Sequence, residues 1–273
     1  WPLPTMVPLA QTLALLAMTT ATAVMDEVPM DMAPNSFDDQ YWGCRDKMTA
    51  ALPALHRSEL QQNSLFAQAW AQARAEWQKR GSRVSPLSSS DQAIALMAYT
   101  MDKPAYTVTT PLFETFNTAV REAGYSRWQY RNKFHFKVLH FLLTDALATL
   151  RDTQGKRCRD VFRGVSGKQF NVTYGKKVRF GQFTSTSLNK TVSEGYGTDT
   201  LFQVTTCYGV DIQHVSFNPR EQEVLIPPFE TFKVTKVTQD GDKTRIWLHS
   251  NGTYSNYNCE WLRGDSMGTP SEG

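Results

Sequence analysis

The chain has 273 residues, 41% hydrophobic and 20% charged, which is ordinary globular composition with enough apolar material for a sizeable core. A formal charge of +3 without any Lys/Arg run provides no basis for a nucleic-acid partner.

Leu3 to Ala23 carries no charge and holds a Leu13-Ala14-Leu15-Leu16 centre before the small-x-small run Ala21-Thr22-Ala23. This is the layout of a secretory signal peptide over 1–23, although Trp1 stands where Met is usual and a basic start is lacking. Pro4, Pro8 and the short apolar centre argue against a membrane anchor there. The remainder, 24–273, is expected to form one domain. Four cysteines (Cys44, Cys158, Cys207, Cys259) fit an oxidising compartment, and none forms C-x-x-C. Two disulfides are expected, with three pairings open. Sequons at Asn171, Asn189 and Asn251 fit the same route.

From about 37 to 155 the texture is helical. Leu65, Phe66, Ala69, Trp70, Ala73 and Trp77 recur at three and four residues, the spacing of one buried helix face, and Gly81 follows as a stop. Ser88-Ser89-Ser90-Asp91 offers caps for a helix over Gln92 to Met101, and another is expected from Pro111 to Ala123, closed by Gly124. The longest is expected from about Lys133 to Arg151. His135 and His140 lie five apart in it, which is wrong for a two-histidine metal face, so they read as packed or surface histidines.

From about 158 to 260 short β-rich runs alternate with Gly, Asn, Asp and Pro: Val161–Val165, Phe183–Leu188, Leu201–Thr205, Glu223–Ile226, Phe229–Thr238 and Thr244–His249. Helices first and strands afterwards predict an α+β fold, a helical N-terminal lobe packed on a mixed sheet.

Three β segments carry more polar chemistry than packing requires. In Phe162-Arg163-Gly164 the guanidinium is a fork of donors and glycine permits close backbone approach, which suits an anion; the alternative is an edge-strand arginine facing water. In Phe183-Thr184-Ser185-Thr186-Ser187, alternation puts Phe183, Ser185 and Ser187 on one face, unless this is simply an exposed polar strand. Glu221-Gln222-Glu223 opens an apolar run that reads as a strand, so both carboxylates are expected on one face. Such a pair is either solvated or placed beside a cation, and it can stabilise positive charge developing in a transition state.

Arginine, Phe-x-Ser-x-Ser and Glu-x-Glu in that order resemble the R-S-E pattern of arginine-specific mono-ADP-ribosyltransferases, above all the vertebrate ectoenzymes. The likeness extends to Asp31–Tyr41 before Cys44, to Ala95–Thr100 and to Pro227-Pro228-Phe229-Glu230. It implies transfer of ADP-ribose from NAD, or NADP, to arginine-bearing proteins or small guanidino compounds, with no tightly bound cofactor and no metal. Arg163 would contact the pyrophosphate and Gly164 the nicotinamide carboxamide. Ser185 would orient the ribose, Glu223 would be the catalytic carboxylate, and Glu221 would hold the acceptor. Tyr99, Gln182 and Ser216 would line the NAD cleft. The implied disulfides are Cys44–Cys259 and Cys158–Cys207. The polar stretch Ser266 to Gly273 lacks the hydrophobic tail of anchored relatives, so a monomeric secreted or granule-stored enzyme without a membrane anchor is expected. The rivals are an NAD glycohydrolase using water, and a silent binding protein of the same fold.

Overall fold

Phe66, Ala69, Trp70 and Ala73 all point into one core, as their spacing requires, and the helices that follow add to it. The computed structural model describes residues 25–101 and 110–264. The segments read as signal peptide (1–23) and polar tail (266–273) lie outside the described residues. The helical part comprises α1 (Arg45–Gln62), α2 (Ser64–Lys79), α3 (Ser90–Tyr99), α4 (Leu112–Ala123), α5 (Arg127–Lys133) and α6 (Lys137–Thr153). Side chains cap several starts: Asn63 accepts from the Phe66 amide and Ser89 from the Gln92 amide. The Ser89 cap starts α3 two residues before the expected Gln92, and it ends at Tyr99 rather than Met101.

The helix expected from about Lys133 to Arg151 is corrected to begin at Lys137, since Lys133 ends α5 and Phe134 to Phe136 intervene; at 17 residues it is also shorter than the 18-residue α1. Phe134 and Phe136 are both buried. The Glu59 carboxylate of α1 takes the Lys137 and Val138 amides at 2.8 and 3.0 Å, so it caps α6 from a neighbouring helix. Burial pushes that carboxyl up to about 7, against the pull of these donors and of the Lys137 charge.

Strand β1 (Asp26–Pro29) pairs in parallel with β3 (Lys168–Asn171) as a small separate ribbon. The main sheet contains β2 (Arg159–Val165), β4 (Lys177–Val178), β5 (Thr184–Ser187), β6 (Thr200–Thr206), β7 (Val210–Asp211), β8 (Glu223–Ile226), β9 (Glu230–Asp240) and β10 (Lys243–Thr253). Its order is β4-β9-β10-β6-β2-β5-β8-β7, antiparallel except between β10 and β6. A short helix, α7 (Lys190–Glu194), crosses between β5 and β6 and packs on β2 and β5. The fold is therefore α+β with a mixed sheet.

The sheet separates two apolar cores. Leu225 of β8 and Phe183 join the helical core, whereas Val224 and Ile226 join the opposite core with Phe202, Phe232 and Ile246. That alternation is the two-residue period of a strand buried on both faces. Both disulfides are formed: Cys44–Cys259 ties the start of α1 to the end of the described chain, and Cys158–Cys207 closes the ends of β2 and β6. Nearby, Arg179 and Asp38, both fully buried, pair at 2.6 Å, and Asp38 also accepts from the Asn256 and Tyr257 amides. This network fixes the segment before Cys44 against the sheet.

Candidate active site

β2 stays paired with β6 from Arg159 to Val165, but it pairs with β5 only at Phe162 and Ser187. A cavity of about 320 Å³ lies along this gap, a volume in the range of small-molecule sites. One wall is the β2 edge, Phe162 to Ser166. A second is β5, and α3 and α4 contribute Tyr99, Phe113 and Asn117. The third is α7 with Val192, Ser193 and Tyr196. Glu221 and Glu223 complete the lining.

Arg163 sits on an interior strand, so the solvent-facing edge alternative is gone. Its Nη1 donates to the Ser185 carbonyl at 2.8 Å, which anchors the guanidinium to β5. Burial lowers its pKa below the usual arginine value, while the nearby Tyr99 and Glu223 act the other way. The Tyr99 hydroxyl donates to the Phe183 carbonyl (2.9 Å) and accepts from Asn117 Nδ2 (3.1 Å). Burial pushes this phenol up to about 12, so it remains a neutral donor.

Glu223 begins β8 directly opposite Ser187, and only 3% of it is exposed. Because residues two apart share a face, Glu223 and Leu225 stand with Ser187 and Ser185 toward the helical lobe. The expectation that Glu221 shares that strand is corrected. Glu221 ends a 3-10 turn, Pro219–Glu221, and Gln222 has a left-handed backbone (φ 49°), so the strand period starts only at Glu223. Both carboxylates nonetheless line the cavity. Asn218 Nδ2 donates to Glu221 Oε1 at 2.7 Å, and Ser187 Oγ donates to the Glu221 carbonyl at 2.7 Å.

Of the other residues expected at the site, Gly164 and Gln182 are on the wall. Ser216 is not: it is fully buried behind Glu223, with its Oγ 3.4 Å from Oε2. Gly164 answers a packing demand as well as standing on the cavity wall. A Cβ there would meet the Ser193 and Gly197 carbonyl oxygens at 2.2 Å, so the missing side chain makes room for the backbone around α7. Sequence reasoning missed Asn117 and Tyr196. Asn117 had a signal, being a polar residue on the buried stripe Leu112, Phe116 and Val120 of α4. Tyr196 had one too, as an aromatic between two glycines. Among the described residues no group of three or more His, Cys, Asp or Glu side chains is placed to hold a metal ion.

A split sheet with an arginine on one lip and two carboxylates on the other defines the class of ADP-ribosyltransferase clefts. The structure superimposes on that of the eukaryotic mono-ADP-ribosyltransferase ART2.2 with a TM-score of 0.71 and 36% identity, covering 85% of this chain and 98% of that one. A mutant of ART2.2 has been solved in complex with NADH, with the same TM-score and 37% identity. Among sequences, the erythroblast NAD(P)(+)--arginine ADP-ribosyltransferase of Gallus gallus is 51% identical over 87% of this chain and 77% of its own length. The GPI-linked NAD(P)(+)--arginine ADP-ribosyltransferase 1 of Mus musculus is 46% identical over 87% of this chain and 74% of its own. The family model NAD:arginine ADP-ribosyltransferase matches residues 30–256. This chain belongs to the NAD:arginine ADP-ribosyltransferase family.

Proposed function

We propose that this protein cleaves NAD, or NADP, at the nicotinamide–ribose bond and transfers the ADP-ribosyl group to arginine side chains or small guanidino compounds. The observation that carries this reading is the convergence of Arg163, Ser185, Glu221 and Glu223 on one cavity in a member of the family.

The chain's own groups divide the work. Arg163, already braced by the Ser185 carbonyl, offers a charged fork to the pyrophosphate, a geometry that lysine lacks. The β2 edge at Gly164 receives the nicotinamide carboxamide, and Tyr99 and Gln182 close the donor pocket. As the glycosidic bond breaks, its electron pair leaves with nicotinamide and positive charge grows on the ribose. Glu223, on the cavity wall, is the negative group that stabilises it. Ser185 orients the ribose, and Ser216 steadies Glu223 from behind. Glu221 holds the acceptor guanidinium and takes the proton released as the new C–N bond forms, overcoming the weak nucleophilicity of a protonated guanidinium.

We further propose that residues 1–23 are a secretory signal, that 24–273 is the catalytic domain, and that the enzyme acts outside the cell. The two disulfides support an oxidising compartment. Incubation of the oxidised protein with radiolabelled NAD and agmatine tests the reading. ADP-ribosyl-agmatine as main product is expected. Free ADP-ribose alone would make the protein a glycohydrolase, and no turnover would make it a binding protein.

A further inference from the structure

The turn that carries Glu221 is held from the helical lobe by a residue outside the cavity lining. Arg80 caps the C-terminal end of α2, and each of its three guanidinium nitrogens donates a hydrogen bond. Nε donates to Glu76 Oε1 at 2.8 Å, Nη1 to the Ser216 carbonyl at 2.9 Å and Nη2 to the Phe217 carbonyl at 2.7 Å. Its plane also lies over the Phe217 ring, 5.5 Å from the centroid. A planar fork that takes two successive carbonyls specifies both position and direction of that peptide. A second grip comes from the end of α3, where Thr100 Oγ1 accepts from the Phe217 amide at 2.8 Å.

The gripped peptide leads directly to the acceptor carboxylate. The Asn218 amide donates to Ser216 Oγ, its Oδ1 caps the 3-10 turn at Arg220, and its Nδ2 holds Glu221 Oε1. Glu223 depends on this path less: one long contact from Ser216 Oγ (3.4 Å) reaches it, while β8 is registered by backbone pairing with β5. Release of the turn therefore disturbs Glu221 first.

We propose that Arg80 is a positioning residue for the acceptor step: from α2 it fixes the Ser216–Asn218 peptide that aims Glu221 at the incoming guanidino group. The inference rests on the proposed transferase reading. It predicts that the protein sets its balance between transfer and hydrolysis partly through a helix-to-turn strut remote from NAD.

The test compares wild type, Arg80→Met, Arg80→Lys and Asn218→Ala with NAD and a range of agmatine concentrations. Arg80→Met keeps an apolar stem over Phe217 but removes the fork. It should raise the KM for agmatine and lower the ratio of ADP-ribosyl-agmatine to ADP-ribose by about tenfold, as expected for a misplaced orienting group. The KM for NAD and total nicotinamide release should stay within about twofold, since no NAD-facing group has changed. Arg80→Lys should recover part of the ratio, and Asn218→Ala should reproduce the loss. An Arg80→Met ratio equal to wild type would overturn the inference. So would a parallel loss of acceptor and NAD parameters with a lowered melting temperature, which marks a merely structural arginine. A wild type that cleaves no NAD would instead overturn the functional reading, and this inference with it.

Discussion

Glu223 opens β8, where backbone pairs from Ser187↔Glu223 to Thr184↔Ile226 hold it in register, whereas Glu221 ends a 3-10 turn that has a few backbone bonds of its own and is oriented by side chains. Asn218, Ser187 and, one step back, Arg80 do that orienting. The two carboxylates stand two residues apart in sequence and rest on different kinds of support. A sheet fixes position through many cooperative backbone bonds. A turn braced by individual side chains can be shifted by changing one of them without disturbing the sheet. The group proposed to stabilise the donor's developing charge thus sits on the rigid part, and the group proposed to meet the acceptor sits on the adjustable part.

Breaking each support should separate the two activities. Glu223→Ala should reduce both transfer and hydrolysis by about a thousandfold, the scale of removing a principal electrostatic group, with an unchanged melting temperature. Activity that survives would remove Glu223 from the chemistry. Glu221→Gln should lower transfer to agmatine by about a hundredfold while NAD cleavage persists. Equal loss of both reactions would collapse the distinction between the two carboxylates.

Two smaller effects probe the framework under the donor side. Gly164→Ala would press a methyl group on the Ser193 and Gly197 carbonyls, so α7 must move. A destabilisation of about 2 kcal/mol and a higher KM for NAD are expected, read by urea unfolding and steady-state kinetics. Wild-type values would show that α7 is free to give way.

His140 lies beneath Phe183, the residue that leads into β5, with ring centroids 5.4 Å apart. Its Nε2 is 3.0 Å from the Phe37 carbonyl, which can only accept, so Nε2 carries the proton and Nδ1 accepts from the Tyr41 hydroxyl at 2.8 Å. Burial lowers its pKa from 6.5 to about 3, so the folded protein keeps it neutral. Between those values the unfolded chain binds the extra proton. The stabilisation is therefore complete above 6.5 and is lost as pH falls toward 3, by about 2 kcal/mol at pH 5. The drop in urea-unfolding stability between pH 7.5 and pH 5 should be that much smaller in His140→Gln. Equal drops would show that His140 does not set the acid limit of this region.

Much of the site was legible because its chemistry is local. Arg163-Gly164, the Phe-x-Ser-x-Ser strand and Glu-x-Glu are short runs whose order alone points to the family, and the alternation of Ser185 and Ser187 holds in the structure. The misreadings share a cause: they depended on partners far away in sequence. The helix expected from about Lys133 starts only at Lys137, where Glu59, 78 residues earlier in the chain, caps it. Gln222 turns left-handed inside a run whose composition reads as strand.

The amino-acid sequence by itself determined the α+β order, the periodic core faces, and the run of Arg163, Ser185, Glu221 and Glu223 that meets in the cleft, since periodicity and residue chemistry are properties of short segments. Only the tertiary structure decided that β2 and β5 part after Phe162, that Ser216 stands behind Glu223, and that Arg80 reaches across from α2. Those features arise from contacts between segments distant along the chain, where packing and hydrogen-bond satisfaction choose among conformations that local propensity leaves open.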